Sequence, residues 1–106
     1  MAHKRDFHTP VHPGEILYEE FMVPYGLSAN KLAGTIGVPA NRITALVNGT
    51  RAVTADTAIR LGEAFGTTPE FWMNLQNHFE LKVAVGKERP AIARIETPAE
   101  RQGAHA

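Results

Sequence analysis

Asn41, Arg42 and Thr44 fall within four consecutive residues, flanked by Ala40 and Ala45. These are side chains that can read the edges of base pairs. Arg grips guanine through O6 and N7, Asn grips adenine, and the methyls of Thr and Ala touch the thymine methyl. Such a run works only if it is held outward on a helix that can enter a groove. The flanking stretch, LSANKLAGTIGVPANRITALVNG at 27–49, has the pattern to build one. Ser28 is a good N-cap, and Leu32, Ala33 and Ile36 give a first helix its apolar stripe. Gly37 stands where the chain must turn, and Pro39 presets φ for a second helix. Ile43, Leu46 and Val47 bury that helix, leaving Ala40, Asn41, Arg42, Thr44 and Ala45 outside, and Asn48-Gly49 ends it. This is a helix-turn-helix pattern, whose second helix enters the major groove. A plain αα-hairpin with a polar outer face has the same signature, so the pattern leaves both readings open.

Charge is distributed in a way that bears on the choice. The chain has 106 residues and zero formal net charge. Residues 27–60 carry Lys31, Arg42, Arg51 and Arg60 against Asp56 alone, a net +3. Residues 13–26 carry Glu15, Glu19 and Glu20, a net −3, and residues 61–82 a net −2. The positive charge therefore lies on the helix-turn-helix stretch, and DNA affinity depends on such local phosphate contacts. A solvated surface of mixed charge is the bland alternative.

The length suits one small domain, and 43% apolar with 21% charged residues is ordinary for a globular protein. The absence of cysteine excludes disulfides, cysteine–zinc sites and thiol chemistry. No apolar run approaches the ~18 residues of a membrane span, and MAHKRDFHTP is not a secretory signal. A cytoplasmic location is the expectation. His3, His8 and His12 are spaced H-x4-H-x3-H, but no helical period brings them to one face, so no metal and no cofactor are expected. No G-x-S-x-G, H-E-x-x-H or phosphate-cradling Gly loop is present, and an enzyme is not expected.

Around the central pair, a first helix is predicted from Pro13 to about Met22, stopped by Pro24 and Gly26. Ile16, Leu17 and Phe21 point inward, and Glu15, Glu19 and Glu20 outward. A fourth helix runs from about Ala55 to Phe65, capped by Thr54, with Asp56 favouring its positive start. A fifth begins at Thr68-Pro69-Glu70 and carries Phe71, Trp72, Leu75 and Phe79. Most of that aromatic set reads as core, and part as a subunit interface. Residues 83–106 lose helical period and read as an arm or edge strand, ending in a disordered RQGAHA.

HPGEIL at 12–17, the 27–49 stretch and TADTAIRLGEAFGTTPEFWMNLQNHFEL at 54–81, in that order, resemble the HigA/VapI family of antitoxins. That family sits in the wider Xre/Cro-like helix-turn-helix class, and the resemblance covers roughly residues 12–82. It implies an all-α, five-helix λ-repressor-like domain over 13–82, between an N-terminal arm (1–12) and a short C-terminal arm (83–106). It also implies a homodimer on palindromic double-stranded operator DNA, repression of its own operon, and a HigB-like toxin partner similar to RelE-like mRNA endoribonucleases. By the same resemblance, Pro39, Ala40, Asn41, Arg42, Thr44 and Ala45 would read bases. Ser28, Asn30, Lys31, Asn48, Thr50 and Arg51 would hold phosphates.

Two departures stand out: Ala29 replaces a frequent Gln, and Pro39 replaces a frequent Ser or Thr cap, so selectivity leans on Asn41, Arg42 and Thr44. The acidic face of Glu15, Glu19 and Glu20 is a candidate toxin surface. Phe71, Trp72, Phe79, Ile92 and Ile95 are candidate dimer contacts. A stand-alone regulator of the same fold, without a toxin, is the alternative; a RelE-like reading frame next door would separate the two.

Overall fold

In the computed structural model, residues 9–98 are described. They form five helices, with no strand among the described residues. Helix α1 opens as Pro13–Ile16, widens into a π-helical stretch at Leu17–Met22 and finishes as Val23–Tyr25. His12 caps it, its Nδ1 accepting from Gly14 N at 2.9 Å. The expected stop before Pro24 does not occur. Pro24 has no N–H to offer the carbonyl one turn back, and its ring would crowd that carbonyl. The π stretch shifts the bonding by one residue, so that Val23 N–H reaches the carbonyl of Tyr18, and the helix passes through the proline.

Helix α2 (Ala29–Ile36) starts on Ser28, whose Oγ accepts from Lys31 N at 3.1 Å. It ends at Gly37, where φ is 74°. That left-handed conformation is open to glycine without steric cost, and it lets Val38 N bond back to Ala33 O. Helix α3 (Ala40–Val47) follows after one turn. Its eight residues are too few to be helical alone, so its buried face must hold it. Ile43 and Leu46 are fully buried, each contributing about 1.5–3 kcal/mol.

Helix α4 (Ala55–Phe65) is capped by Thr54, and α5 (Pro69–Ile92) by Thr68. The core joins Leu17 and Met22 of α1, Leu32, Ala33 and Ile36 of α2, Ile43 and Leu46 of α3, and Ala58, Leu61 and Trp72 beyond. Trp72 is fully buried, and its Nε1 donates to Thr67 Oγ1 at 2.7 Å. Phe21 packs on it at 5.1 Å between ring centroids. The expectation that Trp72 serves a subunit interface is therefore corrected: its whole surface is used inside the chain.

Helix α5 also departs from the expectation. It does not lapse near Lys82 but continues through Pro90 to Ile92, 24 residues or about 36 Å. The final turn tolerates Pro90 because one missing N–H there breaks a single bond at the helix end. Leu81, Val85 and Ile92 lie exposed along the far half. The predicted segments 1–8 and 99–106, with His3, His8 and the tail RQGAHA, lie outside the described residues.

Candidate nucleic-acid interface

The outer face of α3 presents Asn41 and Thr44, both exposed and one turn apart, with Pro39 exposed at its cap and Ala40 and Ala45 half-buried beside them. Thr44 Oγ1 donates to Asn41 O at 3.2 Å. Asn30 and Lys31 are exposed in the first turn of α2, and Ser28, although engaged as a cap, keeps its hydroxyl proton to donate. Asn48, Thr50 and Arg51 are exposed after α3. The turn there is fixed: Thr50 donates to Ala45 O through its N (2.9 Å) and its Oγ1 (3.2 Å).

Arg42 is placed differently from the sequence expectation, in which it projects freely from α3. Its side chain is 24% exposed and lies toward α4, with Nη1 donating to Asp56 Oδ2 at 3.2 Å. Its Nε is buried and has no hydrogen-bond partner among the described residues. The same Asp56 oxygen accepts from Arg60 Nε at 3.0 Å. Arg60 Nη1 reaches on to the last carbonyls of the α2 turn, Ile36 O at 2.7 Å and Gly37 O at 3.4 Å. One carboxylate thus ties α3 to α4, and through Arg60 to α2. The sequence signals only the Asp56–Arg60 half, as an i,i+4 pair on one helix. No period reveals a partner fourteen residues away.

His12 is the second residue whose part the sequence hides. Its ring stands edge-on to Phe79 at 4.9 Å, caps α1, and hydrogen-bonds the backbone of Arg51. Burial lowers its pKa below the usual histidine value, outweighing that hydrogen bond, which raises it. A neutral ring therefore joins the entry to α1, the loop after α3 and the middle of α5. Among the described residues no three His, Cys, Asp or Glu side chains are grouped to hold a metal. The loop is also pinned from beneath, where Val53 N donates to buried Gln76 Oε1 at 2.7 Å, and Gln76 Nε2 donates to Glu80 Oε2 at 2.8 Å.

Of the acidic residues of α1, Glu20 is exposed, whereas Glu15 and Glu19 are half-buried, so the three do not make one open face. Phe79 is half-buried under His12, Phe71 is partly exposed, and Ile92 and Ile95 are exposed. Among the described residues, no helix is long and apolar enough to cross a membrane.

Residues 19–72 match the Helix-turn-helix family. Antitoxin HigA-1 of Vibrio cholerae is 44% identical over 72 residues, covering 68% of each chain. An addiction module antidote protein of the HigA family from Coxiella burnetii superposes with a TM-score of 0.80 at 51% identity, over 85% of this chain and 98% of that one. Pseudomonas aeruginosa antitoxin HigA, solved with the higBA promoter, gives 0.80 at 39% identity, over 84% and 97%. The residues of α2 and α3, their place in a five-helix fold and these similarities agree, and the chain belongs to the HigA antitoxins, a family of non-enzymatic DNA-binding regulators within the helix-turn-helix class.

Proposed function

We propose that this chain binds operator DNA by laying α3 in the major groove, represses its own operon, and neutralises a HigB-like toxin of the RelE-like mRNA endoribonuclease type. The observation that carries the DNA reading is the outer face of α3. It is short, held from behind, and bare except for Asn41, Thr44 and small neighbours. Those side chains suit base edges, while Ser28, Asn30, Lys31, Asn48, Thr50 and Arg51 supply donors to phosphates on either side. The relative solved with its promoter supports the same use of the fold.

The proposed operator complex is a homodimer with two reading helices about one DNA turn, ~34 Å, apart. The exposed side chains of the outer half of α5 and beyond, Leu81, Val85, Ile92 and Ile95, with Phe71, are the candidate contacts. Exposed Glu20, with the half-buried Glu15 and Glu19 on the same helix adding to the local negative potential, is the candidate acidic site for a basic toxin, through the steering of opposite charge.

The test is titration of the full chain against the duplex upstream of its own gene and a shuffled duplex, with sedimentation of the protein and its complex. Preference for the upstream duplex by a dimer supports the proposal; equal binding to both, or a monomer on DNA, overturns it. Co-expression with the product of the adjacent gene tests the toxin. Rescue of growth that is lost on charge reversal of the three glutamates supports that surface, and rescue that survives it removes the surface.

A further inference from the structure

We propose that Asp56 is a positioning residue that sets sequence selectivity, by keeping the Arg42 guanidinium off phosphates and presenting its free donors in one orientation. The inference rests on the reading of α3 as the DNA-facing helix. Arg42 lies on that helix, and its Nη1 is held at 3.2 Å by a carboxylate that belongs to α4. An ion pair of this kind adds little to stability, since the Asp56 side chain is 58% exposed. An anion beside a polyanion's binding face also opposes affinity for every DNA. Asp56 also favours the positive start of α4, but that role needs no arginine on α3; the reach across to Arg42 adds control of that side chain.

The arrangement holds Arg42 against a bias to leave. Its Nε is buried without a hydrogen-bond partner among the described residues, and hydration would be gained if the side chain swung out. The bond to Asp56 opposes that swing. Arg60 has independent anchors in the carbonyls of Ile36 and Gly37. Loss of the carboxylate therefore leaves Arg60 in place and releases Arg42. The Arg42–Asp56–Arg60 cluster carries a net +1 with the carboxylate and +2 without it. A released arginine on a flexible stem pairs with any phosphate in reach, whereas a pinned fork can discriminate between base edges.

The experiment compares the full-length wild type, Asp56→Asn, Arg42→Ala and the double variant. The probes are a duplex selected by the wild type from a random library and its shuffled counterpart, titrated at several salt concentrations, with thermal melts to confirm folding. Asp56→Asn should bind the shuffled duplex several-fold more tightly, with a salt slope steeper by about 1. Preference for the selected duplex should narrow by roughly 5-fold or more. In the Arg42→Ala background the same change should lose more than half of its effect on the shuffled duplex. Asp56→Glu, which keeps a carboxylate within reach, should retain more preference than Asp56→Asn.

An unchanged preference in a folded Asp56→Asn overturns the inference, as does weakening of both duplexes alike or a gain that persists undiminished without Arg42. Failure of the wild type to select any sequence removes the DNA reading of α3 itself. That outcome is distinct from a selective wild type with an equally selective Asp56→Asn, in which only the role of Asp56 falls.

Discussion

Gly14→Ala should destabilise the domain even though alanine is the better helix former. A Cβ on Gly14 would stand 1.6 Å from Leu46 O, 2.4 Å from Leu46 C and 3.0 Å from Val47 Cα. All three are backbone atoms in the last turn of α3, and none can rotate away. The oxygen would have to withdraw by about 1.8 Å to reach an ordinary contact, the kind of overpacking that costs about 1–3 kcal/mol or more. It also accepts from Gly49 N at 3.0 Å, so the move disturbs the turn that ends α3. The opposing gain in helix propensity is at most about 1 kcal/mol. The clash wins, and the net loss should be about 2 kcal/mol, or roughly 10 °C in melting midpoint.

Gly34 provides the matched control. It lies exposed within α2, and a Cβ there meets nothing within 4 Å among the described residues. Gly34→Ala should raise stability by up to about 1 kcal/mol. Thermal and urea melts of both variants measure the pair. Gly14→Ala melting at or above the wild type would refute the close approach of α1 to α3.

Gln76→Leu leaves the buried Val53 N without its acceptor and should cost about 1–3 kcal/mol in urea unfolding; a variant as stable as the wild type would deny that pin. Gln76→Glu keeps an acceptor but sets a buried carboxylate against Glu80, so its deficit should be larger at neutral pH and shrink in acid. His12 titrates lower in the folded chain than in the unfolded one, so the unfolded state binds more protons below about pH 6.5. Its contribution is complete above that pH and is lost as pH falls through the folded pKa. His12→Asn, a cap that does not titrate, should flatten this part of the stability–pH curve, and parallel curves between about pH 8 and 5 would exclude His12 as its source. Arg51→Ala, in an exposed loop, should weaken selected and shuffled duplexes alike and lower the salt slope by ~1; a narrowed preference would mean that Arg51 touches a base.

The helices were legible because each is bounded by local chemistry: Ser28, Thr54 and Thr68 cap their own third residue onward, and Gly37 and Gly66 close the far ends. The open face of α3 was legible too, since Ile43 and Leu46 fix its rotation. Three features were not. The passage of α1 through Pro24 depends on a change of hydrogen-bond register that no side-chain period records. The extension of α5 past Lys82 lacks an apolar stripe because almost nothing packs against it. Helix propensity and a hydrogen-bond ladder interrupted only at Pro90 carry it instead. The orientation of Arg42 depends on Asp56, which the chain delivers only after a turn and a loop have folded.

These unread features bear on the reading helix itself. Eight residues of α3 span about 12 Å and cannot fix their own direction. Its last turn rests against the backbone of Gly14, and its flank is tied through Arg42 to Asp56. The loop after it is held from one side by His12 and from below by Gln76, and the turn before it is gripped by Arg60. Each tie comes from a different part of the chain: the entry to α1, the start and middle of α4, and the middle of α5. A small error in the angle of α3 moves every side chain on its outer face, and readout by hydrogen bonds tolerates little such error. Substitutions at Gly14, Asp56, Arg60 or Gln76 should therefore reach DNA selectivity without touching DNA, whereas changes at Lys31 or Arg51 should reach affinity alone.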